Sequence, residues 1–404
     1  MGLGNGSAHY YHLITEKKDK FVTVNSRPVV LLLFSLIITG APNLSANTVD
    51  EINPLAALPM RHIGPALMSG RISDFAFYPG GNQAFIAGIS SGNIFRTFNG
   101  GTTWEPIFEN EDSYAIGVVE LDPNDTNTIW VGTGENNAQR SVAAGSGVYK
   151  SVDGGKSWSN VGLADSGHIS QIWINPNDSD EVIVASQGPL WSDGGDRGLF
   201  RTSDGGKTWE LILEIDEYTG VNEFVVDPRD PDVIVASTYQ RRRHVWVLIN
   251  GGPGSGIHKT TDRGQSWTEV KAGLPSNQMG RIGLAGAPSD PNMLYAIIEA
   301  SDEEKGVYRS TNFGETWEKR SSYMTTSPQY YNEIVVDPIN SDRIYALNTF
   351  TMKSEDGGST FAPLTTQWRH VDDHALWIDP DNTQHLYIGG DGGIYESWDR
   401  GSTW

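Results

Sequence analysis

The chain has no cysteine among its 404 residues. That excludes disulfides, thiol catalysis and cysteine-held metals, so core burial and strand pairing must hold the fold. Basic residues are scarce: 29 Lys and Arg stand against 50 Asp and Glu, a formal charge of −21. A field of that sign repels phosphate backbones and anionic lipid, so no nucleic-acid partner is expected. Long apolar runs are lacking too. Val29–Ile38 ("VVLLLFSLII") is too short for a comfortable membrane span. It follows Lys17, Lys18, Lys20 and Arg27 and precedes the small residues Ala41 and Ala46, the order of a secretory signal. Residues 1–46 are therefore set aside as a signal peptide or N-terminal anchor. No transmembrane span is expected after its removal, and the product is expected to be secreted, periplasmic or held at the cell surface. No cofactor is implied, and a monomer is expected.

Glycine (46) and tryptophan (13) are abundant, and they recur in one octet, Ser/Thr-x-Asp-x-Gly-x-Thr/Ser-Trp. It occurs as "SVDGGKSW" (151–158), "TSDGGKTW" (202–209), "TTDRGQSW" (260–267) and "SWDRGSTW" (397–404), with looser copies at 97–104, 310–317 and 354–361. The closing aromatics stand 54, 51, 58, 50, 44 and 43 residues apart, a period that signals stacked repeats. Each octet follows a short strand-like run such as "GVYKS" (147–151) or "GLFRT" (198–202). Upstream lies an Asp-Pro turn between two apolar runs, as in "EFVVDPRDPDVIVAS" (223–237). One repeat is thus four short strands. Seven of them predict an all-β fold, a seven-bladed β-propeller of four-stranded antiparallel blades. The propeller is expected over 71–404 with its last repeat truncated. Residues 47–70 form a linker, within which 59–65 are a candidate ring-closing strand.

The octet needs no ligand to explain it. Its acidic or amide residue can accept backbone N–H bonds inside a hairpin loop, its glycine can take positive φ, and its tryptophan can anchor a strand. Seven copies would also be an odd arrangement for one catalytic centre. Asn99, Asp153, Asp204, Asp262, Asn312, Asp356 and Asp399 are therefore assigned structural roles.

These octets resemble Asp boxes, the bacterial neuraminidase repeats. With the Asp-Pro turns, they make residues 60–404 similar to sortilin-type domains and to bacterial sortilin-like and xyloglucanase-like proteins. The resemblance implies a propeller with Asp boxes at the blade periphery. For function it points two ways, because the group holds both receptors and glycoside hydrolases.

In an up-and-down blade the Asp-Pro turn and the octet lie on one face of the disc. The second turns and blade links lie on the other, and there the loops are uneven. That face gathers Arg241, Arg242, Arg243 and Trp246, then Trp368, Arg369, His370, Asp373 and His374 from "WRHVDDHALW" (368–377); these are the candidate binding residues. The arginines could clamp an anion, and the histidines with Asp372 or Asp373 could ligate a metal or move protons, but the plainer reading is loop hydrogen bonding and no metal is assigned. A glycosidase needs two facing carboxylates. The xyloglucanase resemblance would put one in "GISSGNIFR" (88–96), yet Ser90 stands at that position. Asp391, Asp372 and Glu135 remain weak catalytic candidates. A sialidase would need arginines spread over several blades, whereas 241–243 are contiguous. The expected function is accordingly a glycan- or protein-binding module, its ligand a polysaccharide or an extracellular protein or peptide. The alternative is a glycoside hydrolase of xyloglucanase-like type acting on β-glucans.

Overall fold

The computed structural model describes residues 70–139 and 142–404. The expected signal segment and the candidate closing strand at 59–65 lie outside the described residues.

Seven antiparallel sheets follow one another along the chain, and no helix occurs among the described residues. Their innermost strands are Ile72–Phe77, Ile116–Leu121, Ile169–Asn175, Thr219–Asp227, Ile282–Ala287, Ile334–Val336 and Asp373–Ile378. In each blade the strands pair in chain order from the inside outward. The seventh blade has three described strands, and the fourth carries an additional short one, Leu248–Asn250. The architecture is a seven-bladed β-propeller.

Strand periodicity explains the packing. Both faces of a blade are covered by neighbours, so alternate residues of a middle strand serve two different interfaces. Val182 and Val184 join the cluster facing the second blade, while Ile183 and Ala185 join the cluster facing the fourth. Six such apolar clusters fill the six sequential interfaces. The seventh interface closes the ring with aromatics. Phe77 of the first blade stacks on Trp377 of the last, centroids 3.7 Å apart, with Phe85 and Tyr387 beside them. The short fourth strand Glu105–Pro106 of the first blade is exposed, because nothing packs outside it.

The octets are built alike. Asp204 accepts N–H bonds from Lys207 and Thr208 (both 2.9 Å) and hydroxyl bonds from Thr202 and Thr208 (both 2.7 Å). These bonds favour the charged form, so its carboxyl lies well below the usual range; Asp153, Asp262 and Asp356 are held at about 2 for the same reason. The residue after the Asp or Asn donates its N–H to the turn between the first two strands of its blade in all seven blades, at 2.8–3.0 Å, which sets those two turns side by side on one face. That residue has φ of 50–74° whether it is Gly or Arg263, Phe313 or Arg400. The tryptophan reaches outside its own blade. Trp158, Trp209 and Trp267 donate Nε1–H to carbonyls of the preceding blade, Ile107, Val161 and Ile212.

Candidate functional site at the channel mouth

Each innermost strand begins on the face opposite the octets, so its first residues ring the mouth of the central channel. Three of the seven strands open on a Gly-basic-Ile step: Gly70-Arg71-Ile72, Gly167-His168-Ile169 and Gly280-Arg281-Ile282. Second turns add Glu135 and Asp391, and the link before the sixth blade adds Tyr330, Tyr331 and Glu333.

These groups converge. The Arg71 guanidinium pairs with Glu135 through Nη1 and approaches Asp391 through Nε at 3.4 Å, and it lies over the Tyr330 ring. Asp391 also faces His374 Nε2 at 3.5 Å and accepts from the Tyr330 hydroxyl at 3.3 Å. His374 is sandwiched by the two tyrosines, edge-on to Tyr330 and stacked on Tyr331. Tyr331 in turn donates to Asp372. On the far side Arg281, 1% exposed, bonds Asn222 and pairs with Glu333, both at 3.2 Å.

The environments push these groups in opposite directions. Burial drives His374 below 6.5 and the nearby Arg71 charge adds to this, outweighing Asp391, so the imidazole is neutral near pH 7. Burial would raise Asp391, but His374, Arg71 and Tyr330 outweigh it and hold it below 3.8. Burial raises Glu333 above 4.5 despite Arg281. Tyr330 is pushed up to about 12, chiefly by burial, and remains a hydroxyl donor. The mouth therefore offers an ionised carboxylate, a carboxyl biased toward its protonated form, a neutral imidazole and two phenols. Asn332, Trp368 and Asp372, all on this face, have φ of 73°, 69° and 69°, backbone strain of the kind that collects at functional sites.

The other candidates fall differently. Arg369 and Asp373 pair with each other inside the blade, at 2.7 Å and almost fully buried, and Thr351 donates to the same carboxylate. They face each other rather than a ligand. His370 is exposed, its ring nitrogen against the Val371 carbonyl and its backbone N–H on the Tyr395 hydroxyl. No group of three His, Asp or Glu side chains suited to a metal occurs among the described residues. Trp246 and Trp368 are 82% and 85% exposed. The arginines 241–243, expected in a loop, sit instead on the end of a long strand, Asp230–Arg243, that pairs with Leu248–Asn250 as a hairpin. Arg241 is fully buried and donates to the carbonyls of Asn137 and Gly188, and Arg243 donates to Ala138, so these two tie the hairpin to neighbouring blades. Ser90 is buried beside Arg71, its N–H on the Arg71 carbonyl. Asp391 occupies the corresponding turn one blade round and reaches the same arginine. Arg71, Arg281 and Glu333 did not stand out among the candidates. The repeated Gly-basic-Ile step was the signal that could have found the first two.

A family model for sortilin (neurotensin receptor 3) of the Vps10 type matches residues 197–349. The chain is thus similar to Asp-box β-propellers of the sortilin-like and xyloglucanase-like type. It is 26% identical over 283 residues to the xyloglucanase Xgh74A of Acetivibrio thermocellus, covering 61% of this chain and 32% of that enzyme. The propeller thus spans about a third of that relative's length. The GH74 xyloglucanase of Xanthomonas campestris shares its fold with a TM-score of 0.59 at 16% identity, over 83% of this chain and 53% of that one. The fold is also shared with YCF48 bound to D1 peptide, with a TM-score of 0.52 at 17% identity, over 82% of this chain and 94% of that one. No helix among the described residues is long and apolar enough to cross a membrane.

Proposed function

We propose that this propeller is a glycoside hydrolase of xyloglucanase-like type, acting outside the cell on β-linked polysaccharide at the channel mouth. The carrying observation is the pair of carboxyl groups at the mouth whose surroundings shift them in opposite directions. Asp391 is held ionised by His374, Arg71 and Tyr330, and Glu333 is pushed toward its protonated form by burial. Two carboxyl groups whose environments separate their pKa values are suited to the base-or-nucleophile and acid roles of glycosidic cleavage. In this reading Glu333 protonates the departing glycosidic oxygen. Asp391 supplies negative charge to the sugar side of the bond, directly or through a water. Arg71 and neutral His374 orient Asp391, and the hydroxyl donors of Tyr330 and Tyr331 hold sugar oxygens. The 26% identity to a xyloglucanase supports the same class of substrate.

A second reading is favoured by Ser90, which leaves the first blade without the carboxylate expected by resemblance, and by the exposed rings of Trp246 and Trp368. In that reading the mouth binds a glycan or peptide without turnover. Release of reducing ends from a panel of β-glucans, xyloglucan included, separates the two. Turnover lost in Asp391→Asn and Glu333→Gln supports the hydrolase, and saturable binding without turnover in the wild type supports the module.

A further inference from the structure

A second cluster lies beside the hairpin of the fourth blade. Four guanidinium groups, Arg197, Arg241, Arg242 and Arg243, converge on the loops around 137–138 and 187–198. Among the described residues only one carboxylate, the half-exposed Asp193, lies within ion-pairing distance of any of them, 3.6 Å from Arg242 Nη1. The others donate to backbone carbonyls, which accept hydrogen bonds without neutralising charge. Burial lowers Arg241 to about 9, with Arg197 and Arg281 adding repulsion, and lowers Arg197 to about 10, with Arg242 adding repulsion. In a chain of net charge −21, this is a local excess of positive charge short of anions.

The excess opens onto a cleft of ≈ 280 Å³ lined by Asp193, Tyr218, Gln240, Arg242, His244 and the fully buried Arg241. Arg241 Nε and Arg242 Nε and Nη1 are buried donors with no hydrogen-bond partner among the described residues. Buried donors are rarely left unmade, and a guanidinium fork matches a carboxylate. Tyr218 is partly exposed at the cleft, and Trp246 stacks on the cleft residue His244, ring centroids 5.4 Å apart. Asp193 and Gln240 add an acceptor and an amide suited to ring hydroxyls.

We propose that this cleft is a subsite for a carboxylate-bearing sugar, a uronic acid residue held through Arg242. The ligand then carries one carboxylate for the arginines, hydroxyl donors for Asp193 and ring C–H faces for the aromatic wall. The proposal rests on the polysaccharide reading of the mouth and adds that the polymer is acidic. Among the described residues the Arg242 side chain makes no hydrogen bond, only the ion pair with Asp193, so its variants are expected to fold.

Isothermal titration of the full chain with β-1,4-linked trimannuronate, its methyl ester, a triglutamate peptide and sodium sulfate tests it. Trimannuronate is expected to bind at least tenfold more tightly than the neutral ester and the peptide. Arg242→Gln is expected to abolish that preference, and Arg242→Lys to retain part of it, at an unchanged thermal midpoint. Equal binding of acid and ester, equal binding of the peptide, sulfate as the sole ligand, or a preference that survives Arg242→Gln would each overturn the proposal. If trimannuronate fails to bind while neutral β-glucan is still turned over, the subsite falls and the mouth reading stands. If acid binding persists without any turnover, the hydrolase reading falls instead.

Discussion

The channel wall makes folding stability depend on pH through Glu223. This side chain accepts the Leu284 N–H of the next blade while one edge stays open to the channel. Burial first, then repulsion once the neighbouring Glu333 ionises, push it from 4.5 up to about 8, against the opposing pull of Arg281 and the Leu284 N–H. Because the folded-state value lies above the unfolded one, the protein carries no penalty below pH 4.5. It loses stability as pH rises toward 8, where the folded state must give up the proton. A full shift of that size corresponds to about 5 kcal/mol, from ~1.4 kcal/mol per pKa unit. The edge open to the channel reduces the effective cost to roughly 1–2 kcal/mol. Glu223→Gln keeps an acceptor for the Leu284 N–H and removes the ionisation. At ~2–4 °C per kcal/mol, the wild-type thermal midpoint should fall between pH 5 and pH 8.5 by about 2–8 °C more than that of Glu223→Gln. The assay is thermal unfolding by circular dichroism at both pH values. A Glu223→Gln midpoint that falls as steeply as the wild type's, or lies lower at pH 8.5, would refute the reasoning.

Trp377→Ala removes the ring-closing stack on Phe77 and is expected to cost about 2–3 kcal/mol, since the ring is only partly buried; an unchanged denaturation midpoint would contradict closure by this contact. Gly206→Ala puts a Cβ at φ 94° and 3.0 Å from the Trp130 ring, and a loss of about 1–3 kcal/mol is expected in urea titration; neutrality would contradict the octet geometry. Arg281→Gln removes the cation that lowers the Glu333 pKa, so the basic limb of a pH–rate profile should move to higher pH. A limb that stays in place would disconnect Glu333 from turnover.

How far the residues alone carried the reading varies by feature. The octets were legible because turn geometry is local. A side-chain acceptor, two consecutive left-handed residues and a closing tryptophan all lie within eight positions. The alternating apolar strands made the blades legible as well, because every strand face meets a neighbour. The reach of Trp158, Trp209 and Trp267 into preceding blades was not legible, since it depends on how blades are stacked. The mouth was seen in part. Asp372, His374, Asp391 and Glu135 stood out because they sit in uneven loops. Arg71 and Glu333 sit at strand starts, where a charged residue reads as a strand boundary. Only ring closure brings Arg71 of the first blade to Asp391 of the last. Arg369, Asp373 and Arg241 read as surface charges because sequence shows charge and not partner; the structure spends them on each other or on carbonyls.

The central claim is that the mouth cleaves β-linked glycan with Asp391 ionised and Glu333 protonated. The direct measurement is the pH–rate profile for release of reducing ends from xyloglucan by the wild type, Asp391→Asn and Glu333→Gln. The account predicts a bell whose acid limb is shifted down by the groups around Asp391 and whose basic limb is shifted up by the burial of Glu333. It predicts losses of about 10²–10⁴-fold in each variant with substrate binding retained. No release at any pH, or release that Asp391→Asn leaves intact, would contradict it.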